Sequence, residues 1–314
     1  MHSAHLRQGN DRKGDQMVDI GRVFSTSFAM FRQRFWLLLG MWAVFFAIQT
    51  AASMVLGIGL GAAGLAGAAA LGSSGFDDPA AMDDMGVLAG LGIGMILFMV
   101  LFYGAYIVIL LAQQAAMVTL ASPLEEPMFG LALRRGFKSA LPFIGIALLL
   151  LLAYAAMMVA SLAVAGAVGA VAGGSIGGVA GTLLIVLAAL YLACRFAVLV
   201  PVVAVDEVYN PVTAIRRSWA VTQGKALSIL LALLGFGAIT LVVLGVPLLM
   251  IIGAATGLEG GGEPSGGAIA VIIIAGLALI PLFMAYSIYA SAFTASLHVE
   301  VTDGGAERLE EVFA

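Results

Sequence analysis

Charge is what this sequence has least of. Only 10% of its 314 residues are charged and 62% are hydrophobic, where a soluble domain carries roughly 25% charged residues. The mean hydropathy is +1.10. That composition excludes an ordinary soluble domain, and a net charge of −4 gives nucleic-acid binding no support. Cysteine is almost absent: Cys194 alone allows no intrachain disulfide and no cysteine metal cluster, and it reads as a small packing residue. Histidine is equally scarce. His2, His5 and His298 have no metal-ligand spacing, so neither a metal nor another cofactor is expected. No Ser/His/Asp set or phosphate loop stands out, and Gly59, Gly61 and Gly64 match a dinucleotide fingerprint without the strand that should precede it. Asp77, Asp78, Asp83 and Asp84 read as a solvated loop.

A secretory signal is also missing, because the first 34 residues hold six Arg or Lys and no short apolar core with a cleavage site. Residues 1–16 read as a disordered leader, with Met17 a candidate natural start, and residues 301–314 as a short acidic tail with Leu309, Val312 and Phe313 on one face. Between them lies a membrane domain, 17–300. Apolar runs of the ~20 residues needed to cross ~30 Å of hydrocarbon predict six spans, near 35–58, 87–112, 142–167, 178–204, 226–253 and 267–297. The expected fold is all-α, a polytopic membrane helix bundle. Pro247 and Pro281 should bend their spans, and Gly57 with Gly61, Gly90 with Gly94 and Gly177 with Gly181 are small-residue pairs that let helices approach closely. Spans three and four should form a tight hairpin through Gly173-Gly174-Ser175.

The polar island from Asp206 to Lys225 separates two of these runs. Asn210-Pro211 is a helix start, since Asn accepts bonds from first-turn amides and Pro has no amide to lose. Val208, Val212, Ile215 and Trp219 then fall at helical steps, with Arg216, Arg217 and Gln223 off that line, and Gly224-Lys225 closes the helix. Two other segments share the design. Ile20, Phe24, Phe28, Phe31 and Phe35 run beside Arg22, Arg32 and Arg34, while Phe129, Leu133, Phe137 and Leu141 run beside Arg134, Arg135 and Lys138. The small-aromatic pairs Ser27-Phe28, Gly136-Phe137 and Ser218-Trp219 align, Arg34 and Lys225 each lie six residues past the aromatic, and Glu125 to Arg134 and Glu207 to Arg216 span equal distances. This predicts three parallel repeats, each an amphipathic interfacial helix, a span, a small-residue link and a second span.

Orientation follows from the basic residues. Apart from Arg195 inside span four, every Arg and Lys lies in the N-terminal region, the 122–140 and 205–225 connections or the tail, and the other links hold six acids. The positive-inside rule then puts both termini in the cytoplasm; a bacterial inner (plasma) membrane is the expected location. Arg195 is a costly intramembrane charge expected to face inward, towards backbone carbonyls, Gln113, Gln114 or a lipid phosphate.

The run Arg195-Phe196 to Pro201, Asp206-Glu207, Asn210-Pro211, Ala214 to Trp219, Thr222 and Gly224-Lys225 resembles the membrane domain family associated with glycerophosphoryl diester phosphodiesterases. In that family the domain precedes a soluble phosphodiesterase barrel or stands alone. The roughly 15 residues after span six leave no room for a barrel, so the resemblance implies a stand-alone membrane module concerned with lipids and supplies no catalytic residue. The leading expectation is a non-catalytic protein binding anionic lipid headgroups, or a membrane protein partner, through Arg195, Arg216, Arg217, Lys225, Arg134 and Arg135. Asp206, Glu207, Asn210, Pro211, Ser218, Trp219, Thr222 and Gly224 support them. Two alternatives stay open. One is a transporter or lipid-translocating protein with Arg195 at a polar cavity; the other is a membrane enzyme acting on phospholipid or glycerophosphodiester headgroups, with Asp206 or Glu207 as base and Arg216 or Arg217 holding phosphate.

Overall fold

In lipid every backbone N–H and C=O must be satisfied within the chain, which confines apolar spans of this kind to helices. The computed structural model describes residues 18–71, 85–124, 126–256 and 266–302, with side-chain surroundings described outside 63–71 and 85–95. Among the described residues all regular structure is helical, without a strand. Its helices are α1 (Ile20–Leu71), α2 (Met85–Ala121), α3 (Phe129–Ala172), α4 (Gly174–Phe196), α5 (Leu199–Ala204), α6 (Pro211–Val221), α7 (Ala226–Thr240), α8 (Val246–Thr256) and α9 (Gly266–Val301). A π-helical turn, Leu241–Gly245, joins α7 to α8. Six segments are long and apolar enough to cross a membrane, with α4 and α5 forming one and α7, the π turn and α8 another. The leader, the Asp77–Asp84 acids, the link carrying Glu259 and Glu263, and the tail residues Leu309, Val312 and Phe313 lie outside the described residues.

The exterior is apolar. Leu148, Leu151, Leu152, Leu162, Leu183, Leu187, Ile273 and Leu277 all face outward, far more contiguous apolar surface than a water-soluble monomer exposes. Inside, two buried clusters hold the bundle. One gathers Leu38, Met41, Phe45, Met117, Leu120 and Ile288; the other gathers Val23, Phe143, Val198, Val202, Ile229, Phe293 and Leu297. Helix α2 lies against α1, α3 and α9, while α3 and α4 form a hairpin and α1 packs along α9.

Glycine decides the tightest of these contacts. The α3–α4 hairpin turns on Gly173 alone, at φ +99°, so the link is shorter than the predicted three residues. Gly177 and Gly181 do bring the helices together: a Cβ on Gly177 would run into the Ala165 carbonyl and Gly169, and the Ser161 hydroxyl donates to the Gly181 carbonyl at 2.9 Å. Gly57 and Gly61 do not, since both meet open space, and it is Gly59 that rests against Phe98. Gly90 and Gly94 lie outside the residues whose surroundings are described.

The prolines act unequally. Only Val246 separates the π turn from Pro247, whose ring removes an amide and crowds the preceding turn, but Pro281 and Pro142 sit within unbroken helices. The sharper interruption is at Ala197-Val198, between α4 and α5. Pro201 explains it, because it has no N–H for the Ala197 carbonyl four residues back.

Of the three basic lead-in segments, only the third is a separate helix. The first two continue into α1 and α3 without a break. Gly224, at φ +78°, supplies the turn after α6, whereas the corresponding residues of α1 and α3 are Gln33 and Pro142, neither of which takes that conformation.

Candidate functional site

The polar island is built outward from its cap. Asn210 Oδ1 accepts from the amides of Val212 and Thr213 at 3.0 and 3.2 Å, and Pro211 takes the first helical position, so α6 starts where the sequence indicates. The face it buries is the small one. Ala214, Ser218 and Thr222 are inaccessible, while Val212 and Trp219 of the predicted apolar stripe face outward and Ile215 is half-buried. Phe28, Phe137 and Leu141 of the other two stripes are also exposed. Lipid gives large apolar side chains no reason to turn inward, and small ones permit close helix contact.

Arg195 lies under this helix. Its guanidinium sits over the Tyr191 and Trp219 rings at 5.1 and 4.8 Å and donates to the Tyr191 hydroxyl, at 2.9 Å from one terminal nitrogen, and to the Trp219 carbonyl at 3.3 Å. The Ser218 hydroxyl returns a bond to the Arg195 carbonyl at 2.7 Å. Arg195 is thus 9% exposed, sandwiched between aromatics and tied to a last-turn carbonyl of α6, where a cation also favours the helix dipole. Its partners include a backbone carbonyl, as expected, but neither Gln113 nor Gln114.

Asp206 is the electrostatic centre of the island. Its carboxylate is 5% exposed and lies 3.0 Å from Arg217 Nε and 3.4 Å from His298 Nε2. His298 is fully buried at the end of α9, and Nε2 has no hydrogen-bond partner among the described residues. Burial works to raise the Asp206 carboxyl, but contact with His298 and with Arg217 outweighs it and holds the group below the ordinary carboxylate value. Residue Glu207 takes a left-handed backbone conformation, φ 56°, unusual for a side chain of this kind. Its carboxylate meets Arg135 of α3 at 2.6 Å and accepts from the Tyr209 hydroxyl at 3.4 Å, while Lys138 lies over the Tyr209 ring at 4.2 Å. Burial, then the Glu207 charge, pushes the Tyr209 phenol up.

Two further cations close helix ends. Arg34 donates to the carbonyls of Leu120 and Ser122 at 2.9 and 2.7 Å, at the end of α2, and Lys225 donates to the Val301 carbonyl at 2.7 Å, ending α9. They are the two residues that lie six past an aromatic in the aligned lead-ins. The small residues also make close contacts: Gly136 rests on the Ala112 carbonyl and Ala116, and the Ser218 hydroxyl donates to the Arg195 carbonyl.

The predicted cations therefore divide. Arg195, Arg217, Arg135 and Lys225 all have protein partners, whereas Arg134 and Arg216 are exposed and make no ion pair among the described residues. Sequence reasoning missed His298, which carried a signal as a polar residue ending an apolar span. It also passed over Gln49, whose Nε2 donates to Gln113 Oε1 at 2.6 Å although the two sit 64 residues apart inside apolar spans. Among the described residues no group of three His, Cys, Asp or Glu side chains could hold a metal.

No curated protein and no solved structure matches this chain. A family model does, over residues 171–308, from the start of span four through span six and well beyond the motif at 195–225. Over those residues this integral membrane protein is similar to the membrane domain of glycerophosphoryl diester phosphodiesterase.

Proposed function

We propose that the protein binds anionic lipid headgroups at the cytoplasmic face of the bacterial inner membrane, through Arg134 on α3 and Arg216 on α6. One observation carries this: in each tandem arginine pair the first member is exposed and unpaired among the described residues, while the second is held by a carboxylate. An exposed guanidinium beside outward-facing Val212, Trp219 and Phe137 suits a headgroup plane, with rings at the interface and phosphate on the planar fork. The positive-inside rule supports the cytoplasmic assignment, and the matched capping by Arg34 and Lys225 supports a repeat relation between the first and third lead-ins.

Catalysis at the island is disfavoured by its chemistry. A general base must be free to take a proton, and Asp206 is buried, engaged by Arg217 and His298 and held below the ordinary carboxylate value. Transport through Arg195 would need that side chain at an open polar cavity, and Tyr191 and Trp219 close over it.

The test is the melting temperature of the detergent-solubilised protein on adding phosphatidylglycerol, at low and high salt. A ligand of the folded state raises it by mass action, and salt screens exposed charges beyond ~10 Å at 0.1 M. A salt-sensitive rise in wild type that shrinks in Arg134→Ala/Arg216→Ala is the expected result. An equal rise in the double variant overturns the proposal, and so does no rise in wild type.

A further inference from the structure

A second polar feature lies within the membrane-spanning part, away from the arginines. Between α1, α2, α8 and α9, with the π turn, is a cavity of about 560 Å³ whose walls include Trp42, Phe46, Leu248 and Phe283 and whose polar groups come from Gln49, Gln113, Gln114 and Ser287. That volume falls within the range of small-molecule sites, ~300–1,000 Å³. The Gln49 Nε2–Gln113 Oε1 bond leaves Gln113 Nε2 and Gln49 Oε1 without hydrogen bonds among the described residues, and the Gln114 amide has none there either. Gln113 is itself only 8% exposed. A buried amide such as that of Gln113 costs free energy among apolar side chains unless a further partner reaches it, while Gln49 is half-buried and Gln114 exposed.

No Lys, Arg, His, Asp or Glu lines the cavity, so a phosphate or ammonium headgroup would be desolvated there without a counter-charge. Hydroxyl and ester groups match the free amide donor and acceptors, and acyl chains match the remaining wall. We infer that this cavity binds a neutral glycerolipid of the diacylglycerol class, with its hydroxyl and an ester carbonyl on Gln49, Gln113 and Gln114 and its chains along Trp42, Phe46 and Phe283. The site is separate from Arg134 and Arg216 and stands independently of their role.

Radiolabelled dioleoylglycerol binding to the purified full-length protein in detergent tests it, with dioleoylphosphatidylglycerol as competitor. Wild type should bind saturably at one site, and the anionic lipid should compete at least tenfold less well. Gln113→Leu/Gln114→Leu should weaken binding about tenfold, as expected when hydrogen-bond partners are removed from a buried polar group. Leu248→Trp, which fills the cavity and leaves the amides in place, should abolish it; a melting temperature within a few degrees of wild type identifies a folded variant. Absence of saturable binding in wild type overturns the assignment. So does binding untouched in both variants, or equal competition by the anionic lipid.

Discussion

The inner and outer faces of the two basic helix starts use neighbouring arginines for opposite ends. Arg135 and Arg217 turn inward onto Glu207 and Asp206, joining α3, α5, α6 and α9 at the charged end of the bundle, while Arg134 and Arg216 point out. Successive helical residues are about 100° apart, so a tandem pair serves two surfaces at once. What differs is the cost of losing each member. An inward cation that disappears strands a carboxylate, and an outward one leaves only solvent or lipid behind.

The sharpest way to break the comparison is to remove the inner anion. Asp206→Asn strands Arg217 beside His298 and should cost about 3 kcal/mol in mixed-micelle unfolding, whereas Glu207→Gln, at a half-exposed pair, should cost under about 1 kcal/mol. Equal costs would remove the distinction between buried and rim pairs. Acid should act on the same contact. Because the folded Asp206 titrates below its ordinary value, its contribution is fully present above that value, ~3.9, and is lost as pH falls beneath it. The pH profile of unfolding should flatten on that limb in Asp206→Asn.

A control away from all charge is Gly177→Val. It forces a side chain onto the Ala165 carbonyl and should cost about 2 to 3 kcal/mol by the same unfolding assay, while Gly57→Val, facing open space, should be nearly silent. Arg195→Ala comes next, at about 1 to 2 kcal/mol for a lost cation–aromatic contact and a lost helix-end bond. Arg134→Ala/Arg216→Ala should change stability least, within about 0.5 kcal/mol.

Local chemistry was legible in the sequence and distant pairing was not. Asn210, Pro211 and Gly224 act on their own few residues, and each does what its covalent structure favours. The six apolar segments were equally readable, since length and composition decide them. The contact face of α6 was not legible: Val212 and Trp219 of the apolar stripe are exposed, and Ala214, Ser218 and Thr222 make the contact. The Asp206–His298 and Gln49–Gln113 contacts join residues 92 and 64 apart, and nothing local to either partner announces the other. Only the oddity of a polar residue within or ending an apolar run marked them.

Native mass spectrometry of the purified protein, counting retained phosphatidylglycerol, tests most directly whether outward arginines hold lipid while inward ones hold the fold. Arg134→Ala/Arg216→Ala should lose the bound lipid and Arg195→Ala should keep it. Lipid retained by the double variant and lost from Arg195→Ala would contradict that division, and would place the anionic headgroup beneath α6 instead of on its outer face.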